Sequence, residues 1–223
     1  MAIVTGEAFC TNNHYDERRA RAYLAKHRSG FWRRLSNLLE QRMAARALAL
    51  AGHPRSVLDL PCGAGRFWRL LASVPDRILL GADYSWDMIV TALRFQPNEV
   101  ARRFKVFRSS VFDIALSDKA VDCVFCMRLF HHIAGPGARA RALRELHRVS
   151  RNTVCLSLWS DGNLQAWRRR RGRPPGTGPV RTRFVVDRGR IEREFLECGF
   201  EIAGSVALLP GLSMWCTYVL KKR

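Results

Sequence analysis

Short apolar runs alternate with amphipathic segments through the middle of the chain. The apolar runs predict strands at 55–60, 78–83, 104–109, 120–127 and 153–158. Segments with helical spacing between them predict helices at 65–73, 86–94 and 136–149. Alternating strands and helices favour a parallel sheet with right-handed crossovers and helices on both faces, so a ligand is expected at the carboxyl ends of the strands.

Two helix-like segments precede this core, at 15–27 and 31–51. In the second, one apolar face is predicted from Phe31, Leu35, Leu38, Leu39 and Met43. After the core, the pattern predicts a helix at 188–198 and strands at 200–207 and 214–220. Pro210-Gly211 supplies the turn between those two strands.

The segment SVLDLPCGAGRF, residues 56–67, combines a buried strand with a glycine turn and the start of a helix. Asp59 lies near the strand's end, and Gly63 and Gly65 allow close backbone approach to a ligand because they carry no Cβ. The next apolar run ends in Asp83, which is placed to accept both ribose hydroxyls of an adenosine. A dinucleotide-binding turn would have the pattern G-x-G-x-x-G, which GAGRF does not continue.

Four segments together, LDLPCGAGRF, GADYSWDMI, AVDCVFCMRLFHHI and ALRELHRVSRNTVCLSL, resemble a class I S-adenosylmethionine (SAM)-dependent methyltransferase over residues 56–158. The resemblance implies an α/β fold: a Rossmann-like, doubly wound, mostly parallel seven-stranded sheet with an antiparallel C-terminal strand pair and an N-terminal helical cover. We predict a single domain over 1–223. It divides into a cover (1–52), a SAM-binding core (53–160), an Arg-rich loop (161–190) and closing strands (191–223).

The resemblance also implies where SAM is held. Asp59, Gly63 and Gly65 are expected around the methionine part, and the turn residues Pro61 and Cys62 belong to the same predicted site. Asp83 is expected at the ribose. Tyr84 and Met88 are expected to pack near the adenine.

Two positions depart from the family pattern. Pro61 replaces the first glycine of the turn, and its fixed φ is expected to stiffen the turn. Ser109-Ser110 stands where many relatives have an acidic residue for the adenine amino group. Ser110, the backbone around Val111, or Asp113 are the alternatives for that contact.

Residues after the fourth strand are candidates for catalysis. Arg128 lies where relatives contact the SAM carboxylate or the substrate. His131 and His132 follow, and an imidazole there is suited to deprotonate an acceptor hydroxyl or amine near neutral pH. Packing against the sheet is the alternative for one histidine, and capping or solvation for the other.

The chain is strongly basic, with a formal net charge of +19 and 33 Arg against five Lys. Ten of these Arg lie within 165–193, where RRRRGRPPGTGPVR predicts an exposed loop. Candidate substrate-binding residues are Tyr15 in the cover and Arg168, Arg169, Arg170 and Arg171 in the loop. A solvated surface loop is the alternative, and so is a general Arg bias of the chain.

Phosphate recognition favours guanidinium groups, so two acidic substrate classes fit the basic loop. One is a phosphate-bearing lipid or saccharide, with contact at a membrane surface, and the other is RNA. Aromatic residues do not interleave with the Arg run, which leaves RNA as the less supported alternative. The oligomeric state is not indicated by the sequence.

The compartment is expected to be cytoplasmic. Neither a secretory leader nor an apolar run long enough to span a membrane is predicted, and seven scattered cysteines favour reduced thiols. Cys123 and Cys126 are predicted on opposite faces of one strand, so no metal is expected there.

These observations lead to one expected function and two alternatives. The chain is expected to transfer a methyl group from SAM to an oxygen or nitrogen of a small-molecule or phosphate-bearing acceptor. The alternatives are an RNA methyltransferase that uses the Arg-rich loop, and a partner protein with a SAM-binding fold that does not catalyse turnover.

Overall fold

A computed structural model describes residues 31–171 and 183–223, apart from the side chains of 31–34 and 170. Within these residues the α-helices are α1 (Phe31–Leu50), α2 (Trp68–Ala72), α3 (Trp86–Phe95), α4 (Asn98–Ala101), α5 (Pro136–Val149), α6 (Leu164–Arg171) and α7 (Arg188–Glu197). The strands are β1 (Ser56–Asp59), β2 (Ile78–Asp83), β3 (Phe104–Arg108), β4 (Val121–Cys126), β5 (Ser150–Trp159), β6 (Phe200–Ala207) and β7 (Trp215–Lys222). A short 3₁₀ helix covers Phe130–His132.

The seven strands form one sheet in the order β3-β2-β1-β4-β5-β7-β6. The first five strands are parallel, and β7 pairs antiparallel with both β5 and β6. This confirms the predicted fold class, including the antiparallel closing pair. Because Asp59 pairs with Gly81 of β2 and Phe125 of β4, the carboxyl ends of these three strands meet at one edge.

Helices cover both faces of the sheet, as an alternating pattern requires. One buried cluster contains Leu58, Val124 and Cys126 with side chains of α5 and α7, and the other contains Val57 and Cys123 with side chains of α1, α2 and α3. The two cysteines therefore lie on opposite faces of β4, as the spacing predicted. Both are buried and pack as small apolar residues.

Helix α1 packs against the closing strands β6 and β7. Its buried apolar residues are Met43, Ala44, Ala47 and Leu48, whereas Leu38, predicted on the apolar face, is 46% exposed. The face that packs is therefore shifted toward the end of the helix. The predicted helix at 15–27 lies outside the described residues. None of the described helices is long and apolar enough to cross a membrane.

The Arg-rich segment begins as a helix, which corrects the prediction of a loop for residues 164–171. Asn163 Oδ1 accepts a hydrogen bond from Ala166 N at 2.9 Å, which caps the helix. Gln165 Oε1 accepts from Met214 N, and Ala166 is buried with Trp159 and Met214. These contacts outweigh the absence of apolar periodicity, because they fix α6 against the start of β7.

The chain after the segment 172–182, which lies outside the described residues, returns along the end of β5. Phe184 N donates to His131 O at 2.7 Å, and Val186 N donates to Trp159 O at 2.8 Å. Asp187 then caps α7 by accepting from Arg190 N. Both described ends of the basic segment are thus fixed at the carboxyl end of β5.

Candidate active site at the strand ends

The glycine turn after β1 is held by backbone hydrogen bonds. Cys62 N donates to Ala82 O at 2.8 Å, and Gly65 N donates to Cys62 O at 3.0 Å. Gly63 and Gly65 have φ of +53° and +72°. A Cβ on Gly65 would lie 2.9 Å from Gln96 Cγ, so packing also requires glycine there.

Pro61 and Cys62 lie in the same turn at the strand edge. Pro61 follows Leu60 through a cis peptide bond and is partly exposed, while Cys62 is buried. Leu60 N donates to Phe125 O at 3.1 Å, which continues the β1–β4 pairing up to the turn. The proline thus occupies the position of the usual glycine without separating the turn from the sheet.

Asp83 joins the end of β2 to the glycine turn. Its Oδ2 accepts from Gly63 N and its Oδ1 from Ser85 N, both at 2.9 Å. Burial raises the pKa of Asp83, and the backbone N–H groups of Ser85, Gly63 and Tyr84 oppose this shift. A carboxylate has about four acceptor positions, so about two remain for ligand hydroxyls. Asp83 therefore braces the turn while it remains able to bind a ribose.

Asp59 lies beside Asp83 with an unsatisfied carboxylate. It is 1% exposed, and neither of its oxygens has a hydrogen-bond partner among the described residues. Burial, and next the charge of Asp83, raise its pKa well above the ordinary value. Two adjacent buried acids favour a cationic ligand, because a positive charge offsets both repulsion and desolvation. SAM carries a sulfonium and an ammonium group, so the residues present fit it.

The residues predicted around the adenine lie next to this acidic pair. Met88 is buried in α3, and a Cβ on Gly63 would lie 3.5 Å from its Cε atom. Tyr84 is 53% exposed, and the Arg108 guanidinium lies 5.1 Å from the centre of its ring. Their positions are compatible with an adenine wall, and the roles remain predictions.

The third strand ends in a compact turn that contains the other adenine candidates. Ser110 Oγ accepts from Phe112 N at 3.2 Å, Val111 is buried, and Asp113 is exposed. Ser109 N donates to Asp83 O at 3.0 Å, which ties this turn to the ribose candidate. The hydroxyl of Ser110 retains a second lone pair, so the choice among these residues stays open.

Arg128 is paired with the N-terminal helix. Its Nη1 donates to both Glu40 carboxylate oxygens, at 3.0 and 2.8 Å, and its backbone N–H donates to Ser157 Oγ. Glu40 is 4% exposed and also pairs with Arg66 Nη2 at 3.0 Å. The predicted contact with the SAM carboxylate or the substrate thus has a competitor in Glu40. This ion-pair network links α1 to both the glycine turn and the end of β4.

His131 is a packing residue, which corrects its prediction as a catalytic base. It is 2% exposed, and its ring stacks on Trp159 at 4.8 Å and meets Trp215 edge-on at 5.0 Å. Burial lowers its pKa to about 2, with the nearby positive charges of His132, Arg128 and Arg183 adding to the shift. A base this weak does not take a proton effectively near neutral pH.

We expect His131 to make folding sensitive to acid. The unfolded chain protonates this residue near pH 6.5, whereas the folded protein does so only near pH 2. Between these values the unfolded state binds more protons, so the free energy of unfolding falls as pH falls, by up to about 1.4 kcal/mol per pH unit. Urea titrations of wild type and His131→Phe measure this: their difference should change below pH 6.5 and be constant above about pH 7.5.

The difference between the two proteins isolates His131 from the acids at the strand ends. Asp59 and Asp83 have raised pKa values, so acidification favours the folded state through them, the opposite sign. Because both proteins contain these acids, their contributions cancel in the difference. A difference that does not vary between pH 5 and pH 7.5 would contradict the buried, neutral imidazole.

His132 remains the candidate base. Its ring lies 4.2 Å from that of His131, and the side chain is only partly buried. Its backbone N–H donates to Leu129 O at 2.8 Å within the 3₁₀ helix. The position after β4 therefore leaves this imidazole closer to solvent than His131.

The predicted substrate residues are only partly described. Arg168, Arg169 and Arg171 are exposed on α6, and the Arg171 guanidinium lies 4.1 Å from the Trp167 ring centre. Tyr15 and the side chain of Arg170 lie outside the described residues. Among the described residues, no group of three or more His, Cys, Asp or Glu side chains is arranged to hold a metal ion.

A separate cleft of about 590 Å³ lies beside the glycine turn. It is lined by Asn37, Gln41, Arg66, Arg69, Leu70, Phe95 and Gln96. None of the predicted cofactor residues lines it. We therefore place the candidate cofactor site at the strand ends, where the acidic pair lies.

Sequence reasoning did not identify Glu40, Trp159 or Trp215 as residues of this region. Glu40 lies three residues before Met43 on the packing face of α1, and a carboxylate at such a position is a weak signal for a buried ion pair. The two tryptophans, at paired positions of β5 and β7, were interpreted as packing residues. Their proximity to the basic segment depends on tertiary structure and has no local signal.

Comparison with known proteins gives a family match for the core. The model described as "Methyltransferase domain" matches residues 57–153. This range contains the glycine turn, Asp83 and the two histidines. No curated protein matches the chain by sequence.

Solved structures share the fold at low sequence identity. Magnesium protoporphyrin IX methyltransferase from Synechocystis PCC 6803 with bound S-adenosylhomocysteine (SAH) is 15% identical, with a TM-score of 0.70, over 94% of this chain and 97% of that chain. A SAM-dependent methyltransferase from Thermotoga maritima has 15% identity and a TM-score of 0.62, over 93% and 98%. A Haloferax volcanii methyltransferase in complex with the Trm112 activator has 15% and 0.62, over 91% and 96%.

Proposed function

We propose that this chain, a class I SAM-dependent methyltransferase whose family match spans residues 57–153, methylates an oxygen or nitrogen of a small-molecule or phosphate-bearing acceptor. The observation that carries the proposal is the buried acidic pair. Asp59 and Asp83 lie at adjacent strand ends, beside a glycine turn whose Gly63 N–H is fixed by Asp83. Such a site suits a cationic nucleoside ligand.

The chain's own contribution would be position and exclusion of water. SAM, when bound, supplies a methyl group already activated by the sulfonium. Asp83 would hold the ribose, and the glycine turn would set the depth of the methionine part. Acceleration would then come mainly from orienting the acceptor in line with the methyl group. His132 would accept a proton from the acceptor, since His131 is buried among aromatic rings.

Two alternatives remain different in kind. An RNA methyltransferase would use Arg168, Arg169 and Arg171 to contact phosphates, and its binding would weaken steeply with salt. A non-catalytic partner protein would bind SAM without turnover. One structural relative is in complex with an activator protein, so a partner that enables activity is a third arrangement to test.

Transfer of a tritiated methyl group from SAM into fractionated cell extract tests the proposal. Incorporation into the small-molecule fraction, reduced by phosphatase treatment of that fraction, would support a phosphate-bearing acceptor. Incorporation into RNA would favour the first alternative. Saturable SAM binding without incorporation into any fraction would favour the partner protein. Wild type and Asp83→Ala are assayed in parallel, because incorporation by a contaminant would be equal in both.

A further inference from the structure

A cluster of aromatic rings and guanidinium groups lies at the carboxyl end of β5. We define the arginine–tryptophan cluster as Arg169, Arg183, Trp159, Trp215 and His131. The guanidinium carbons of Arg169 and Arg183 lie 5.1 and 5.7 Å from the centre of the Trp159 ring. His131 stacks on Trp159, and Trp159 meets Trp215 edge-on at 5.4 Å. Residues distant in sequence thus give the aromatic interleaving that the Arg run itself lacks.

The two arginines are held in place from both sides. Arg169 belongs to α6, which is capped by Asn163 and packed through Ala166. Arg183 directly precedes Phe184, whose N–H donates to His131 O. The positions of the two charges therefore follow from packed backbone, and ordering them does not depend on a ligand.

The charges of these arginines are not compensated within the part of the chain that the structure describes. The ion pairs there join acids to Arg66, Arg128, Arg139, Arg148, Arg151, Arg188, Arg190 and Arg223, but not to Arg169 or Arg183. Nor does either side chain have a hydrogen-bond partner among those residues. Stacking occupies the face of a guanidinium and leaves its N–H donors at the edge, where they match the oxygens of a phosphate or carboxylate.

Buried polar atoms without partners mark the interior of the same cluster. His131 Nδ1 and Trp159 Nε1 are both buried and without a hydrogen-bond partner among the described residues. Unsatisfied buried groups are uncommon in native proteins, and each calls for a reason such as a functional role. The cluster also lies next to His132, the candidate base, and next to Arg128 at the end of β4.

From this geometry we infer that the arginine–tryptophan cluster is the acceptor subsite, and that it binds an oxyanion, phosphate or carboxylate, carried by the acceptor. The inference rests on the proposed function, because it places the acceptor's charged group beside the predicted methyl donor. Arg169 and Arg183 donate to the oxyanion. The rings limit the rotamers of the two guanidinium groups and reduce the entropy lost on binding.

Binding of small anions to the SAH-saturated protein tests this inference. The probes are phenyl phosphate, benzoate and neutral phenol, followed through the indole N–H resonances of Trp159 and Trp215, assigned from Trp→Phe variants. We expect saturable shifts with phenyl phosphate or benzoate and none with phenol at equal concentration. Comparison of the two anions distinguishes a phosphate from a carboxylate source.

Variants of the two arginines separate binding from folding. Arg169→Gln/Arg183→Gln is expected to weaken anion binding at least about 10-fold, since charge-assisted hydrogen bonds are lost. The lysine pair at the same positions keeps the charge and loses the planar fork, so an intermediate loss is expected. The control, Arg55→Gln/Arg102→Gln, removes two exposed arginines near the amino ends of β1 and β3 and should bind as wild type.

The outcomes distinguish this inference from its premise. SAH titration in the same samples tests the cofactor site, so its failure would strike the proposed function and leave the anion data readable. Equal shifts with phenol, or equal anion affinity in the Arg169/Arg183 and control variants, would overturn the subsite. It would also be overturned if a single-stranded RNA oligonucleotide bound through the same two arginines and displaced phenyl phosphate at concentrations far below those of the small anions.

Discussion

Asp83→Ala is expected to weaken binding of SAM and SAH by about 100-fold or more. The variant removes the acceptor of both ribose hydroxyls, and hydrogen bonds to a charged group contribute about 1.5–3 kcal/mol each. It also frees the N–H of Gly63, which Asp83 Oδ2 holds at 2.9 Å, so the turn loses its brace. Isothermal titration with SAH measures the affinity.

Ser85→Ala is the matched control for this variant. Ser85 Oγ accepts from Met88 N and caps α3, so its loss is expected to cost about 1 kcal/mol of stability. The backbone N–H that Ser85 donates to Asp83 is retained. We expect near wild-type SAH affinity despite the lower stability. If the two variants lost affinity equally, general loosening of α3 would explain the effect and the ribose role of Asp83 would be wrong.

Arg139→Leu is expected to lower the free energy of unfolding by about 3–5 kcal/mol. Arg139 forms a bidentate pair with Glu194, at 2.7 and 2.6 Å, and both side chains are buried between α5 and α7. Removing one partner leaves an uncompensated buried charge, which costs more than the pair itself contributes. Arg139 Nη1 also donates to Ala134 O, so the segment after His132 loses a contact.

Urea unfolding of a double-mutant cycle measures the pair. Arg139→Leu/Glu194→Leu removes both charges and is expected to be more stable than Arg139→Leu alone. The surface pair of Arg188 and Glu192 supplies the control, because its loss in Arg188→Leu should cost less than about 1 kcal/mol. Equal costs for the buried and the surface arginine would contradict the role assigned to burial.

The fold of the core was predictable because its signals are local. Strand ends such as Asp59 and Asp83 are marked by apolar runs that stop at an acid, and the glycine turn has a fixed spacing. The comparisons support SAM as the cofactor and methyl transfer as the chemistry. The start of the first core helix was predicted three residues early, since backbone bonds of the turn continue to Trp68.

Features that depend on distant contacts were predicted less well. The sequence of Arg168 to Arg171 has no apolar periodicity, yet Asn163 and the start of β7 make the segment helical. Likewise His131 and His132 are indistinguishable in sequence. Only the packing of Trp159 and Trp215 shows which imidazole is buried.

Hydrogen exchange during titration with SAH tests the account most directly. We predict one-to-one saturable binding, with slower exchange at the amides of 60–66 and 83–88, which surround the acidic pair. The cleft beside the turn serves as the internal comparison, because Asn37, Leu70 and Phe95 line it and no predicted cofactor residue does. Protection at that cleft with none at 60–66 and 83–88, or the absence of saturable binding, would contradict the cofactor site assigned to Asp59 and Asp83.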